Sequence, residues 1–217
     1  GTDSSGIITT DITINLIRYL GWFLEFAAKT SIPPQDALPF WSEMSTTGRG
    51  SGRYPNDTFD CVFNNPVQLH GQDPYASEEV IPFDPARPLN WVIEEHTGDS
   101  AAIRSRLRAA LAVSDHDLTM VAQFIGYYLK QSAVTTLSCD VLTLTLLYRV
   151  TKQAATYKIT LSDFIHLLWM LYYPAASSAL MPATGVLDAN VYSCNDLYEI
   201  TRRISISRFT IDQLSYI

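Results

Sequence analysis

The chain has 217 residues, with 15 Lys+Arg against 22 Asp+Glu and a formal net charge of −7. Hydrophobic residues make up 47% and charged residues 17%, which rules out a disordered chain and leaves apolar side chains enough for a full core. The acidic balance argues against a general binder of nucleic acid, because affinity for the phosphate backbone comes from Lys and Arg.

The first helix is predicted from Asp11 to Thr30, with Thr9, Thr10 and Asp11 as N-cap candidates. Ile17, Leu20, Leu24, Ala27 and Ala28 fall on one face at helical spacing, and that face is expected to turn inward. From about residue 31 to residue 98 the chain is punctuated: nine of the 11 prolines lie between Pro33 and Pro88. Proline has no backbone N–H and clashes with the preceding turn, so regular helix is excluded there. The same stretch holds Phe40, Trp41, Phe59, Phe63, Phe83 and Trp91, too many aromatics for a solvated linker. It is expected to pack along the helical body or onto a partner.

Beyond it the helical period returns. Ile103, Leu107 and Leu111 mark a short helix whose outer face should carry Arg104, Arg106 and Arg108. Ser114 is placed to cap the next, in which Leu118, Val121, Ala122, Ile125 and Leu129 form a regular stripe. Ser138 should start a helix from Cys139 to about Gln153. That segment is apolar almost all round, which for a helix means a central position. Its alternation Thr143, Leu144, Thr145, Leu146 also fits a strand. Thr160 or Ser162 opens a helix with Leu161, Phe164, Ile165, Leu168 and Leu171 inward, ended or kinked by Pro174. Two shorter helices are expected around Asn195–Arg203 and Thr210–Ile217. The reading is an all-α protein: an N-terminal helix (1–30), a Pro-rich irregular segment (31–98) and a helical domain (99–217).

Chemistry is sparse in this sequence. Cys61, Cys139 and Cys194 are widely spaced and give neither a disulfide framework nor a zinc site, which suits a reducing compartment, cytoplasmic or nuclear. None of His70, His96, His116 and His166 has a second ligand at metal-binding spacing. His166 reads as a core histidine within an apolar helix. No nucleophile elbow, P-loop or dinucleotide fingerprint occurs. The sequence therefore points to no catalytic residue, metal or cofactor, and to a binding or regulatory protein before an enzyme. No stretch reaches the ~18 uninterrupted apolar residues of a membrane span. The chain opens on Gly1 without a visible signal peptide and reads as a processed product or an excerpt.

From Ser114 to Ile217 the sequence resembles the cyclin box, and most of all the PHO-type and cyclin Y group of cyclins. The segment from Phe124 to Ser132 is similar to the first box helix, and Leu146 to Val150 (Leu, Leu, Tyr, Arg, Val) to the Tyr-Ile-Asp-Arg-Leu of the second, with Arg149 on the arginine. Ile159 to His166 resembles the turn and helix start that lead to the family's His-Arg-Leu-Leu. Ala176 and Ser177 fall on the Ala-Ser of its Ala-Ser-Lys, Asn190-Val191-Tyr192 resembles a later Asn-x-x-Tyr, and Leu214 falls on the leucine of the fifth helix. The helix from Asp11 to Thr30 is similar to the one preceding the box in PHO-type cyclins.

The resemblance implies a five-helix cyclin-box-like bundle with an N-terminal helix and a long Pro-rich insertion. It also implies a regulatory subunit that binds and activates a cyclin-dependent-kinase-like partner. The implied contact residues are Trp22 and Phe26 in the first helix, Ala175, Ser178, Ala179 and Leu180 after the third box helix, and Leu214 and Ile217 in the fifth. The chain departs from the family where Ser178 replaces the lysine and Tyr148 the aspartate, and where the expected glutamate would lie past Ile217. A kinase would then meet a more apolar surface. The alternative is a helical structural subunit of a viral or other protein assembly, in which case homo-oligomers are expected.

Overall fold

The computed structural model describes residues 5–47, 57–65, 82–130, 133–172 and 191–214. The fold is an all-α bundle carrying one two-stranded ladder. Helix α1 runs Ser5–Thr30, longer than the caps at Thr9 to Asp11 suggest. A short helix α2, Pro34–Ala37, follows, with proline at its start, where a missing N–H costs nothing. A 3-10 turn, Leu38–Phe40, continues it. Helix α3, Thr58–Phe63, is capped by Asp57, whose carboxylate accepts from the Asp60 N–H at 2.6 Å. The Pro-rich segment thus contains short ordered elements rather than irregular chain alone.

Strand β1, Asn90–Val92, comes next, then helix α4, Gly98–Leu111, which ends on Ala112 in the left-handed region at φ 54°. Helix α5, Asp115–Lys130, starts on the predicted cap: the Asp117 N–H donates to Ser114 Oγ at 3.1 Å. Strand β2, Thr136–Ser138, pairs antiparallel with β1, placing Trp91 opposite Leu137. Because β2 takes Ser138 as its last residue, helix α6, Val141–Tyr157, begins later than the sequence suggests, capped by Asp140. The Asp140 carboxylate accepts from the Thr143 N–H at 2.8 Å, and the Thr-Leu alternation is helical. Thr160 caps helix α7, Leu161–Tyr172. Helix α8, Val191–Ser207, is longer than expected. The short α9, Ile211–Leu214, opens on a reciprocal capping box between Thr210 and Gln213.

Helix α6 is the hub. It packs against α4, α5, α7, α8 and the 3-10 turn, and its residues Thr143 to Thr151 are all buried. A helix buried all round needs its apolar side chains on every face, as read from its sequence. The stripe on α5 is likewise buried at Leu118, Val121, Ala122 and Ile125. The core runs without a break into the Pro-rich segment, where Phe40, Phe59, Phe63, Phe83 and Trp91 are each at most 1% exposed.

Candidate functional site

Two kinds of feature stand out once the elements are in place: buried cations that tie loops to helices, and an apolar surface left open on α1.

Two of the three arginines expected on the outer face of α4 turn inward. Arg104 does not face solvent; it is 4% exposed. Its Nη1 donates to Asp115 Oδ1 at 2.9 Å and to Thr119 Oγ1 at 3.0 Å, its Nη2 donates to the carbonyl of Ile93, and its guanidinium lies near the Trp91 ring. Arg104 holds the Asp115 carboxyl below the usual carboxylate range, its hydrogen bond outweighing the opposing effect of desolvation. Arg106 is half-buried and stacks over Phe83 at 4.0 Å, with Nη2 3.3 Å from Asn64 Oδ1. Desolvation lowers its pKa. Of the three arginines only Arg108 is exposed. The reason is that α4 lies between α3, β1, α5 and α6, so most of its circumference meets protein. Arg149, buried in α6, donates from Nε to the carbonyl of Pro39 at 2.8 Å and from Nη2 to that of Ser42 at 3.1 Å. Thr145 Oγ1 accepts from the Met44 N–H at 3.0 Å, and Tyr148 Oη donates to the Asp36 carbonyl at 3.3 Å. These bonds fasten residues 36–44 onto the hub.

A surface pocket of about 350 Å³ lies between the α4–α5 turn, α6 and the start of α7. Leu111, Val113, Ala155, Ile159 and Leu161 give it apolar walls, and Tyr148 and Lys152 give it a polar edge. Tyr148 has its pKa raised, by burial first and by Asp36 second, and Lys152 Nζ sits 3.6 Å from Asp36 Oδ2. Both polar groups are therefore already engaged. The pocket holds no nucleophile with an adjacent base.

Among the described residues, no group of three or more His, Cys, Asp and Glu is placed to hold a metal. His166 lies on the exposed side of α7 rather than in the core, since α7 buries Phe164, Ile165, Leu167 and Leu168 and turns position 166 outward. His70 lies outside the described residues. Cys139 and Cys194 are buried, and burial pushes both thiols up to about 12, while Cys61 is exposed.

Of the residues implied as kinase contacts, Phe26 is fully buried, its ring 5.3 Å from Trp41, 6.0 Å from Phe40 and 6.3 Å from Tyr157. It serves the core and offers no side-chain surface to a partner. Trp22 is half-buried, and its ring meets Tyr19 edge-on at 5.6 Å. Leu214 is half-buried on α9, which packs on α7, whereas α1 packs on α8 and α2. Trp22 and Leu214 therefore sit on elements with different neighbours. Ala175, Ser178, Ala179, Leu180 and Ile217 lie outside the described residues.

The surface that sequence reading missed is the apolar stripe of α1. Ile17, Leu20 and Leu24 are 63%, 53% and 53% exposed, and Gly21 and Ala28 are exposed beside them. Of the expected inward face only Ala27 is buried and the other four residues point outward, because α1 anchors itself through Phe26 and Ala27, with Phe23 packed against the core. At about 100° per residue, Phe26 lies on the side of the helix opposite the stripe. The available signal was the pairing of aromatics on one side with small residues on the other: Gly21 and Ala28 are poor core fillers.

No family profile matches the chain, and no curated protein matches it in sequence. Among solved structures, TcdA4 of Morganella morganii, determined by cryo-EM, matches with a TM-score of 0.61 and 20% identity. The match covers 91% of this chain and 8% of that one, so this chain spans a small part of that protein's length. At that identity the likeness is one of fold.

Proposed function

We propose that this chain is a helical interaction module that works as a structural part of a protein assembly, with α1 as a docking surface. The observation that carries the reading is the exposed stripe of Ile17, Leu20 and Leu24 on a helix whose opposite side is locked into the core. Isolated apolar residues on a surface are ordinary, but a contiguous row on one helix face marks an interaction site.

The kinase-regulating reading implied by the cyclin-box resemblance is the second candidate. What supports it is the hub position of α6, whose Leu146 to Val150 stretch carries the resemblance and is buried throughout. Such a subunit would act by binding the active state of its kinase more tightly than the inactive one.

One experiment separates the two. The tagged chain is recovered from cells at moderate salt, beside a variant carrying Leu20→Glu and Leu24→Glu. The assembly reading expects a multimeric complex that the variant loses, with no kinase in stoichiometric amount. A stoichiometric kinase retained by the variant would overturn it in favour of the regulatory reading. A chain recovered alone and monomeric would defeat both.

A further inference from the structure

The α1 stripe has a pattern that fits a second copy of itself. We infer that two chains pair through antiparallel α1 helices about a two-fold axis near Gly21 and Trp22. This rests on the reading of α1 as an interaction surface and names the occupant.

Ile17, Leu20, Gly21, Leu24 and Ala28 share one face of the helix, all exposed. Arg18 and Glu25, seven residues apart, both lie on the same flank of that face, and both are exposed. A two-fold axis perpendicular to the helices sets each flank against the same flank of the other copy, so Arg18 comes level with Glu25 of the second copy, twice. In that register Leu20 lies within about 1.5 Å of the level of the second copy's Leu24. Ile17 lies within about 3 Å of the level of its Ala28, and the two Gly21 residues meet beside the axis. A Cβ added to Gly21 would meet nothing within 4 Å among the described residues, which leaves the backbone open to close approach there. Large residues thus meet small ones, leucine meets leucine, and cation meets anion. The interface is self-complementary, as two-fold pairing demands. Glu25 already holds Lys29 Nζ at 2.8 Å through Oε1, and its other oxygen is left for an arginine. Arg18 has no ion-pair partner among the described residues.

The register makes an asymmetric prediction that a generic sticky surface does not. Arg18→Glu produces copies with two acids on the flank, and Glu25→Arg copies with two bases. Each variant repels itself, but the mixture restores both pairs. The test is a dilution series of the purified chain by sedimentation velocity, with each variant alone and with the two mixed in equal amounts. Circular dichroism and thermal unfolding of each serve as folding controls. The expected result is a wild-type dimer, about tenfold weaker self-association for either variant, and recovery in the mixture as a heterodimer. A monomeric wild type, unaffected variants or a mixture no tighter than its components would overturn the pairing. If cells yield an α1-dependent complex while the purified chain is monomeric, the interaction-module reading stands and self-pairing fails.

Discussion

Arg149 on the central helix donates from Nε to the carbonyl oxygen of Pro39 at 2.8 Å, a hydrogen bond between residues 110 apart in sequence. A second bond, from Nη2 to the Ser42 carbonyl at 3.1 Å, makes the guanidinium a clamp on the chain that follows α2. Both carbonyls lie in or just after the 3-10 turn, where no continuing helix supplies their donors.

Breaking that clamp should cost stability. Hydrogen bonds with a charged donor contribute about 1.5–3 kcal/mol each, so Arg149→Ala is expected to lose roughly 3 kcal/mol or more. Arg149→Lys should recover only part, since an ammonium cannot reproduce the fork geometry. Urea unfolding of the three proteins measures this. A loss under ~0.5 kcal/mol, typical of surface changes, would contradict the clamp.

Asp115 predicts the direction of acid sensitivity. Its pKa is depressed in the folded state by Arg104. The stabilisation is therefore complete above the ordinary aspartate value of about 3.9 and is lost as pH falls through the lower folded value. Asp115→Asn lacks this titration. Between pH ~5 and pH ~2 the urea midpoint of the wild type should fall by more than that of the variant. Parallel midpoints would remove the Arg104–Asp115 pair from the pH response.

Thiol chemistry should count the burial of the cysteines. Cys61 is exposed, though burial and then Asp57 and Asp60 raise its pKa. Cys139 and Cys194 are held protonated by burial near neutral pH, and the thiolate is the reactive form. An aromatic disulfide reagent should titrate a single thiol in the native protein, more slowly than a free cysteine, and all three cysteines in denaturant. Fast native reaction of more than one thiol would contradict this packing.

Two identical substitutions should have opposite signs. A methyl group at Gly126 on α5 would run into the Val134 side chain, with Leu137 Cδ2 at 3.4 Å behind it. Gly126→Ala is expected to cost about 1–3 kcal/mol from overpacking. Gly21→Ala meets open space on α1 and should raise helix stability by ~0.5–1 kcal/mol in the monomer. Thermal unfolding at low protein concentration compares them, and a destabilising Gly21→Ala would show that α1 is not free on that side.

Much of the fold was legible because its signals are local. Ser114 and Thr160 announce helix starts, as a hydroxyl can satisfy an N–H three residues on wherever the helix goes afterwards. The all-round apolar character of α6 also specifies burial without reference to a partner. Direction is another matter. His166 falls on an apolar helix yet points outward, and Leu171 is 39% exposed at a position expected inward. The ladder that pairs Trp91 with Leu137 joins two three-residue strands, too short for a period to reveal.

By itself the sequence determined the longer helices, the caps at Ser114 and Thr160, the hub and the need to bury the aromatics of the Pro-rich segment, because each follows from side chains a few residues apart. The tertiary structure alone decided which face of each helix meets protein. On α1 both the aromatic side and the leucine side could have been buried, and Phe26, seated among Phe40, Trp41 and Tyr157, took the core and left Ile17, Leu20 and Leu24 outside. On α4 the neighbours on several sides drew Arg104 and Arg106 inward, where buried carbonyls, a carboxylate and aromatic rings receive their charge. A helical period records that a helix has faces, and only the arrangement of its neighbours assigns one of them to water.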